Sequence, residues 1–99
     1  MELLQYLVDS SRDPFAYLVF ENRLSREQYN DILGYMDALN ERIAKGITIS
    51  KAEFERTIYS IVPSRDGDFH FTEDIVGSLK ESGKYEAVYY ELKKQGMNI

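Results

Sequence analysis

The chain has 99 residues, 43% hydrophobic and 29% charged, which suits a single domain with enough apolar content for a core. Its net charge of −5 is spread evenly, five cations against eight acids in residues 1–50 and seven against nine in 51–99, so no basic face is set out for phosphates. The absence of cysteine excludes disulfide scaffolds, thiol nucleophiles and thiolate metal sites, and no apolar run approaches the ~20 residues of a membrane span.

In chain order, the punctuation is helical. Met1-Glu2-Leu3-Leu4 opens acidic where an export signal is basic, which points to the cytoplasm. Leu3, Leu4, Leu7 and Val8 share one face of a short first helix within residues 1–12, closed by Asp9-Ser10-Ser11-Arg12. A helix this short is marginal alone, since isolated helices below ~12–15 residues rarely hold in water, so its four aliphatic residues are candidates for self-association. Asp13-Pro14 then reads as a cap and first helical position. The helix over about 14–22 carries Phe15, Leu18 and Val19 inward, with Asn22 as a left-handed stop.

Ser25-Arg26-Glu27-Gln28 fits a capping box and opens the longest helix, where Tyr29, Ile32, Leu33, Met36, Leu39 and Ile43 recur at spacings of three and four up to Gly46. Gly34 inside it suggests a close helix crossing. Ile47-Thr48-Ile49 is a short extended connector. A second capping box, Ser50 to Glu53, starts a helix with Phe54, Ile58, Ile61 and Val62 buried and Pro63 as its end. After the Pro63–Asp68 loop, Phe69-His70-Phe71 alternates like a scrap of strand, and Thr72 caps a helix bearing Ile75, Val76 and Leu79. Ser82-Gly83 breaks the chain again, and a last helix from about Lys84 aligns Tyr85, Val88, Tyr89 and Leu92. The expectation is one all-α domain over residues 1–99, a bundle of about five or six helices with at most short extended segments near 47–49 and 69–71.

Reactive constellations are scarce. His70 is the only histidine, and no serine sits in a Gly-x-Ser-x-Gly elbow that could make it a triad base. Asp66, Asp68, His70 and Glu73 are the densest set of possible ligands. A calcium-loop register through them, however, puts Val62 at the first ligand position and Ser64 at the third, where a hard dication needs carboxylates. Asp-Gly is also an ordinary turn dipeptide. No glycine-rich phosphate cradle is present. The 50–62 helix could be read as a recognition helix with Lys51 and Arg56 reaching DNA, but Glu53 and Glu55 beside them repel phosphates. No catalytic residue, resident metal or cofactor is therefore expected; DNA regulation through the 50–62 helix and metal binding at the 66–73 loop remain the alternatives.

Eight tyrosines in 99 residues carry more weight. Tyrosine joins apolar area to a hydroxyl that tolerates water and is enriched at interfaces. Tyr85 and Tyr89 lie on one stripe of the last helix, Tyr90 points elsewhere, and Tyr35 lies off the main stripe of the long helix. These four are the candidate partner contacts, and a boundary-layer role in the core is the competing account.

Several segments together resemble the YhaI-like family of small uncharacterised proteins from Bacillus and its relatives. They are Asp13-Pro14-Phe15-Ala16-Tyr17-Leu18-Val19, Leu24-Ser25-Arg26-Glu27-Gln28, Asp37-Ala38-Leu39-Asn40-Glu41, Gly46-Ile47-Thr48, Glu73-Asp74-Ile75, Ser82-Gly83-Lys84-Tyr85 and Glu91-Leu92. The shared positions are caps, turns and core residues. The resemblance implies an all-helical domain, bacterial or phage-encoded, with no assigned activity and no functional residues to carry over. The expectation that follows is a cytoplasmic protein-interaction or regulatory domain, binding itself as a homo-oligomer or a protein partner rather than nucleic acid or membrane.

Overall fold

Helical periodicity carries the chain into five α-helices over residues 13–99, the part that the computed structural model describes. They are α1 (Pro14–Glu21), α2 (Arg26–Ala44), α3 (Lys51–Ile61), α4 (Phe69–Glu81) and α5 (Glu86–Lys94), with one 3₁₀ turn at Pro63–Arg65. No strand occurs among the described residues. The fold is an all-α bundle. The self-association candidates Leu3, Leu4, Leu7 and Val8 lie outside the described residues.

The caps form largely where local chemistry places them. Asp13 Oδ1 accepts from the Phe15 and Ala16 amides at 3.1 and 3.4 Å, with Pro14 in the first turn of α1. Ser25 and Gln28 close a reciprocal capping box on α2, and Gln28 Nε2 also donates to the Ile61 carbonyl at the end of α3, 3.2 Å away. At α3 only half of the expected box forms. Ser50 Oγ accepts from the Glu53 amide, but the Glu53 carboxylate turns to Arg42, 3.2 Å away on α2, where a cation is the stronger partner.

α1, α2, α4 and α5 all end alike. Leu24 N, Ile47 N, Lys84 N and Met97 N each donate back five residues, to Val19, Arg42, Leu79 and Leu92 carbonyls, as a Schellman ending requires. Gly46, Gly83 and Gly96 supply the left-handed residue at α2, α4 and α5. At α1 that conformation falls on Arg23, with φ of 54°, rather than on Asn22, whose side chain instead donates to the Leu18 carbonyl and accepts from Arg65.

Four further expectations are corrected. Phe69-His70-Phe71 is the first turn of α4 and not a strand, because Asp68 Oδ1 accepts from the Phe71 amide at 3.2 Å and starts the helix four residues early. Thr72, expected as the cap, is instead fully buried and donates to the Phe69 carbonyl. Tyr85 likewise precedes α5 in a left-handed conformation instead of riding on it. Gly34 is exposed, with nothing near the position of an added Cβ, so no helix crosses there.

The core joins all five helices. Ile32, Met36 and Leu39 of α2, Phe54 and Ile58 of α3, Ile75 and Leu79 of α4 and Leu92 of α5 are sealed from solvent, each contributing about 1.5–3 kcal/mol. α4 packs on α1, α3 and α5, and α2 packs on α3 and α5. The 47–49 connector is neither helix nor strand; Gln95 holds it, donating to the Ile49 carbonyl at 2.6 Å and accepting from the Lys51 amide at 2.8 Å.

Candidate interaction groove

The packing of α1 on α4 leaves a groove of about 550 Å³ on the outer side of the pair. Its shape starts from the residues that dock the two helices. Ser82 Oγ, at the end of α4, lies 2.5 Å from Asp13 Oδ1, so the carboxylate that caps α1 also accepts from the partner helix. Phe15, Leu18 and Val19 then point into the core, which leaves Tyr17 and Phe20 on the outside, 51% and 45% exposed. Pro14, Tyr17 and Leu18 form one wall. Gly77 of α4, Tyr89 of α5 and Ile99 also line the groove.

Four carboxylates line this groove, from Glu21, Glu73, Asp74 and Glu81, against one ammonium, from Lys80. The Lys80 Nζ lies over the Tyr89 and Tyr90 rings, 5.2 and 6.0 Å from their centroids, and Lys93 Nζ lies 5.8 Å from the Tyr89 centroid. Among the described residues, Glu21, Asp74 and Glu81 make no ion pair. Glu73, whose side chain is only 13% exposed, meets the exposed His70 at 3.4 Å, a pair that is ionic only when the imidazole is protonated. The Glu21 carboxylate raises the pKa of Tyr17, through hydrogen bonding first and charge second.

The four tyrosines singled out by sequence divide into two pairs. Tyr89 lines the groove half-buried, and Tyr90, 53% exposed and outside the lining, meets its ring edge to face at 5.1 Å. Tyr35 and Tyr85 are drawn into the bundle. Tyr35 stacks on Phe54 at 6.0 Å, and its hydroxyl oxygen is buried with no hydrogen bond of good geometry. Burial raises its pKa; Thr57 acts against that, Glu53 with it and Arg42 against it. Tyr85 donates to Asp37 Oδ1 at 2.6 Å, and its pKa is pushed up to about 12 by burial first and then by the Asp37 hydrogen bond and charge.

Among the groove aromatics, Tyr17 is the one that sequence did not single out. Its signal was present, an amphipathic aromatic one step off the Phe15–Leu18–Val19 stripe. The 66–73 loop does not gather its acids around a common centre. Asp68 caps α4 and meets Arg65 at 3.3 Å, while Glu73 turns toward His70. No group of three or more ligating side chains that could hold a metal ion occurs among the described residues. On α3, Arg56 is exposed and Lys51 half-buried, with Glu53 held by Arg42. No helix among the described residues is long and apolar enough to cross a membrane.

No family model, no curated protein and no solved structure matches the chain.

Proposed function

We propose that this chain is a small, non-catalytic cytoplasmic interaction domain that binds a protein segment in the α1–α4 groove. The observation that carries the reading is the groove itself: a concavity of about 550 Å³ walled by Tyr17, Leu18 and Tyr89. Ligand clefts typically run ~300–1,000 Å³ and combine apolar walls with a few polar groups. Tyrosines on such a rim bury large area with little loss of side-chain freedom, and their hydroxyls stay wet when the partner leaves. The resemblance to the YhaI-like family is compatible with this reading and adds no activity to it.

Gly77 provides the test. It lies in the interior of α4, lines the groove, and an added Cβ there meets nothing within 4 Å. Gly77→Leu therefore starts its side chain from an open position in the groove lining, and replacing a mid-helix glycine by a good helix former favours the fold by roughly 1 kcal/mol. A random peptide library panned on the wild-type protein and counter-selected on Gly77→Leu should yield peptides that bind only the open groove. Failure to recover any peptide sensitive to Gly77→Leu, with the variant's melting temperature at or above wild type, overturns the reading. Sedimentation of both proteins covers the case in which a second copy of the chain is the occupant.

A further inference from the structure

We infer that the segment this groove receives is basic and amphipathic, presenting Lys or Arg beside aliphatic side chains; this rests on the interaction reading and names the chemistry of its partner. The key observation is where two of the acids stand. Glu21 is the last residue of α1 and Glu81 the last residue of α4, and both line the groove. A helix C-terminus carries roughly half a negative charge and favours cations, so an acid there is locally unfavourable. Neither is compensated by an ion pair among the described residues, and the last turn of α1 contains no basic residue. Sequences break such local rules mainly where function requires it.

The remaining features agree. Asp74 adds a third exposed carboxylate without an ion pair among the described residues, and Glu73 a fourth, mostly buried one. Lys80, the cation within reach, rests over the rings of Tyr89 and Tyr90, and Lys93 also lies over Tyr89, so these rings already accept ammonium groups. An arriving guanidinium finds carboxylates for paired hydrogen bonds and the exposed Tyr17 ring to lie against, while Pro14, Leu18 and Ile99 receive aliphatic side chains. A second copy of the chain is the poorer occupant, because both partners would bring the same −5 charge.

The test uses two designed helical peptides of identical leucine pattern, one with lysine and one with glutamate at the polar positions. The lysine peptide should bind the wild-type protein at least about tenfold more tightly, with affinity falling as salt rises from about 0.05 to about 0.5 M. Amide shifts in nuclear magnetic resonance should map to Tyr17, Gly77 and Tyr89. The triple variant Glu21→Gln, Asp74→Asn, Glu81→Gln should weaken the lysine peptide by roughly tenfold while raising the melting temperature by about 2–8 °C, since it removes two misplaced helix-end charges. A merely structural role for these acids predicts the opposite sign in stability. If the lysine peptide shows no preference over the glutamate peptide, or the triple variant binds it as well as wild type, the basic-partner inference is wrong. Library peptides that still lose binding on Gly77→Leu would then leave the groove reading standing. Dimerisation of the wild type that Gly77→Leu abolishes would likewise keep the groove and overturn the basic partner.

Discussion

The docking of α1 on α4 turns on one carboxylate, and removing it should separate a local from a long-range contribution. Asp13 Oδ1 accepts from two α1 amides and from Ser82 Oγ, at 3.1, 3.4 and 2.5 Å. A serine hydroxyl has one proton to give. The Ser78 carbonyl, 3.0 Å from the same Oγ, competes for it, but the shorter contact to a charged acceptor wins. Loss of an aspartate cap costs about 1 kcal/mol, and loss of a partly exposed hydrogen bond to a carboxylate about 1 kcal/mol more, so Asp13→Ala should destabilise by about 2 kcal/mol. Ser82→Ala, which keeps the cap, should lose only about 1 kcal/mol. In a domain of this size 1 kcal/mol shifts the melting temperature by roughly 4–8 °C, so the two variants are readily told apart. Urea unfolding of wild type, both single variants and the double variant closes a double-mutant cycle, with an expected coupling of about 0.5–1.5 kcal/mol. Additive single effects would mean that Asp13 serves α1 alone and that apolar packing positions the groove wall without it.

Three further perturbations follow from particular residues. Arg23→Gly should stabilise by about 0.5–1 kcal/mol in urea unfolding, because Arg23 holds the left-handed place that glycine fills at the ends of α2, α4 and α5; a loss would show that the Arg23 side chain is needed. Gly34→Ala should stabilise by roughly 1 kcal/mol, since Gly34 is exposed in mid-helix and its added Cβ meets nothing. Tyr85→Phe should cost about 1 kcal/mol at neutral pH through the lost bond to Asp37. The Tyr85 pKa rises on folding from 10.0 to about 12, so the native protein keeps a proton that the unfolded chain gives up. That contribution is complete below pH 10 and fades as the pH climbs to about 12, so wild type should lose its advantage over Tyr85→Phe across that window. A constant advantage would mean that folding does not raise the Tyr85 pKa.

Much of this architecture is legible in sequence because it is written in short-range chemistry. The Ser25–Gln28 box, the Asp13-Pro14 start and the glycine stops each involve residues within a few positions of one another, and the α2 stripe from Ile32 to Leu39 follows from period alone. The start of α4 is not legible in the same way. Asp68 and Thr72 are both competent caps, and the apolar–polar–apolar run of Phe69-His70-Phe71 suits a strand as well as a helical turn. The choice falls to tertiary structure, which buries Phe71 and Thr72 while Arg65 engages Asp68 and lies over the Phe71 ring. The tyrosines show the same limit. Nothing near Tyr85 in the chain announces Asp37, 48 residues away, yet that contact ties Tyr85 to α2 and leaves Tyr89 for the groove.

The groove itself is a product of two requirements that conflict at the level of one helix. α1 has eight residues, and with Phe15, Ala16, Leu18 and Val19 buried it has no apolar residue to spare for stability; yet Tyr17 and Phe20 stay exposed. Such a short helix gains from every terminal interaction, and its N-terminus has one in Asp13. Its C-terminus has the reverse, an acid at Glu21 against the helix dipole. The same asymmetry recurs on α4, where Asp68 caps one end and Glu81 burdens the other. Both of these acids, Glu21 and Glu81, line the groove. A domain selected only for stability would gain by exchanging Glu21 and Glu81 for neutral or basic residues, and the exposed positions of these side chains place no packing barrier in the way. Retaining both acids at one concavity makes physical sense when the missing cations arrive on another chain.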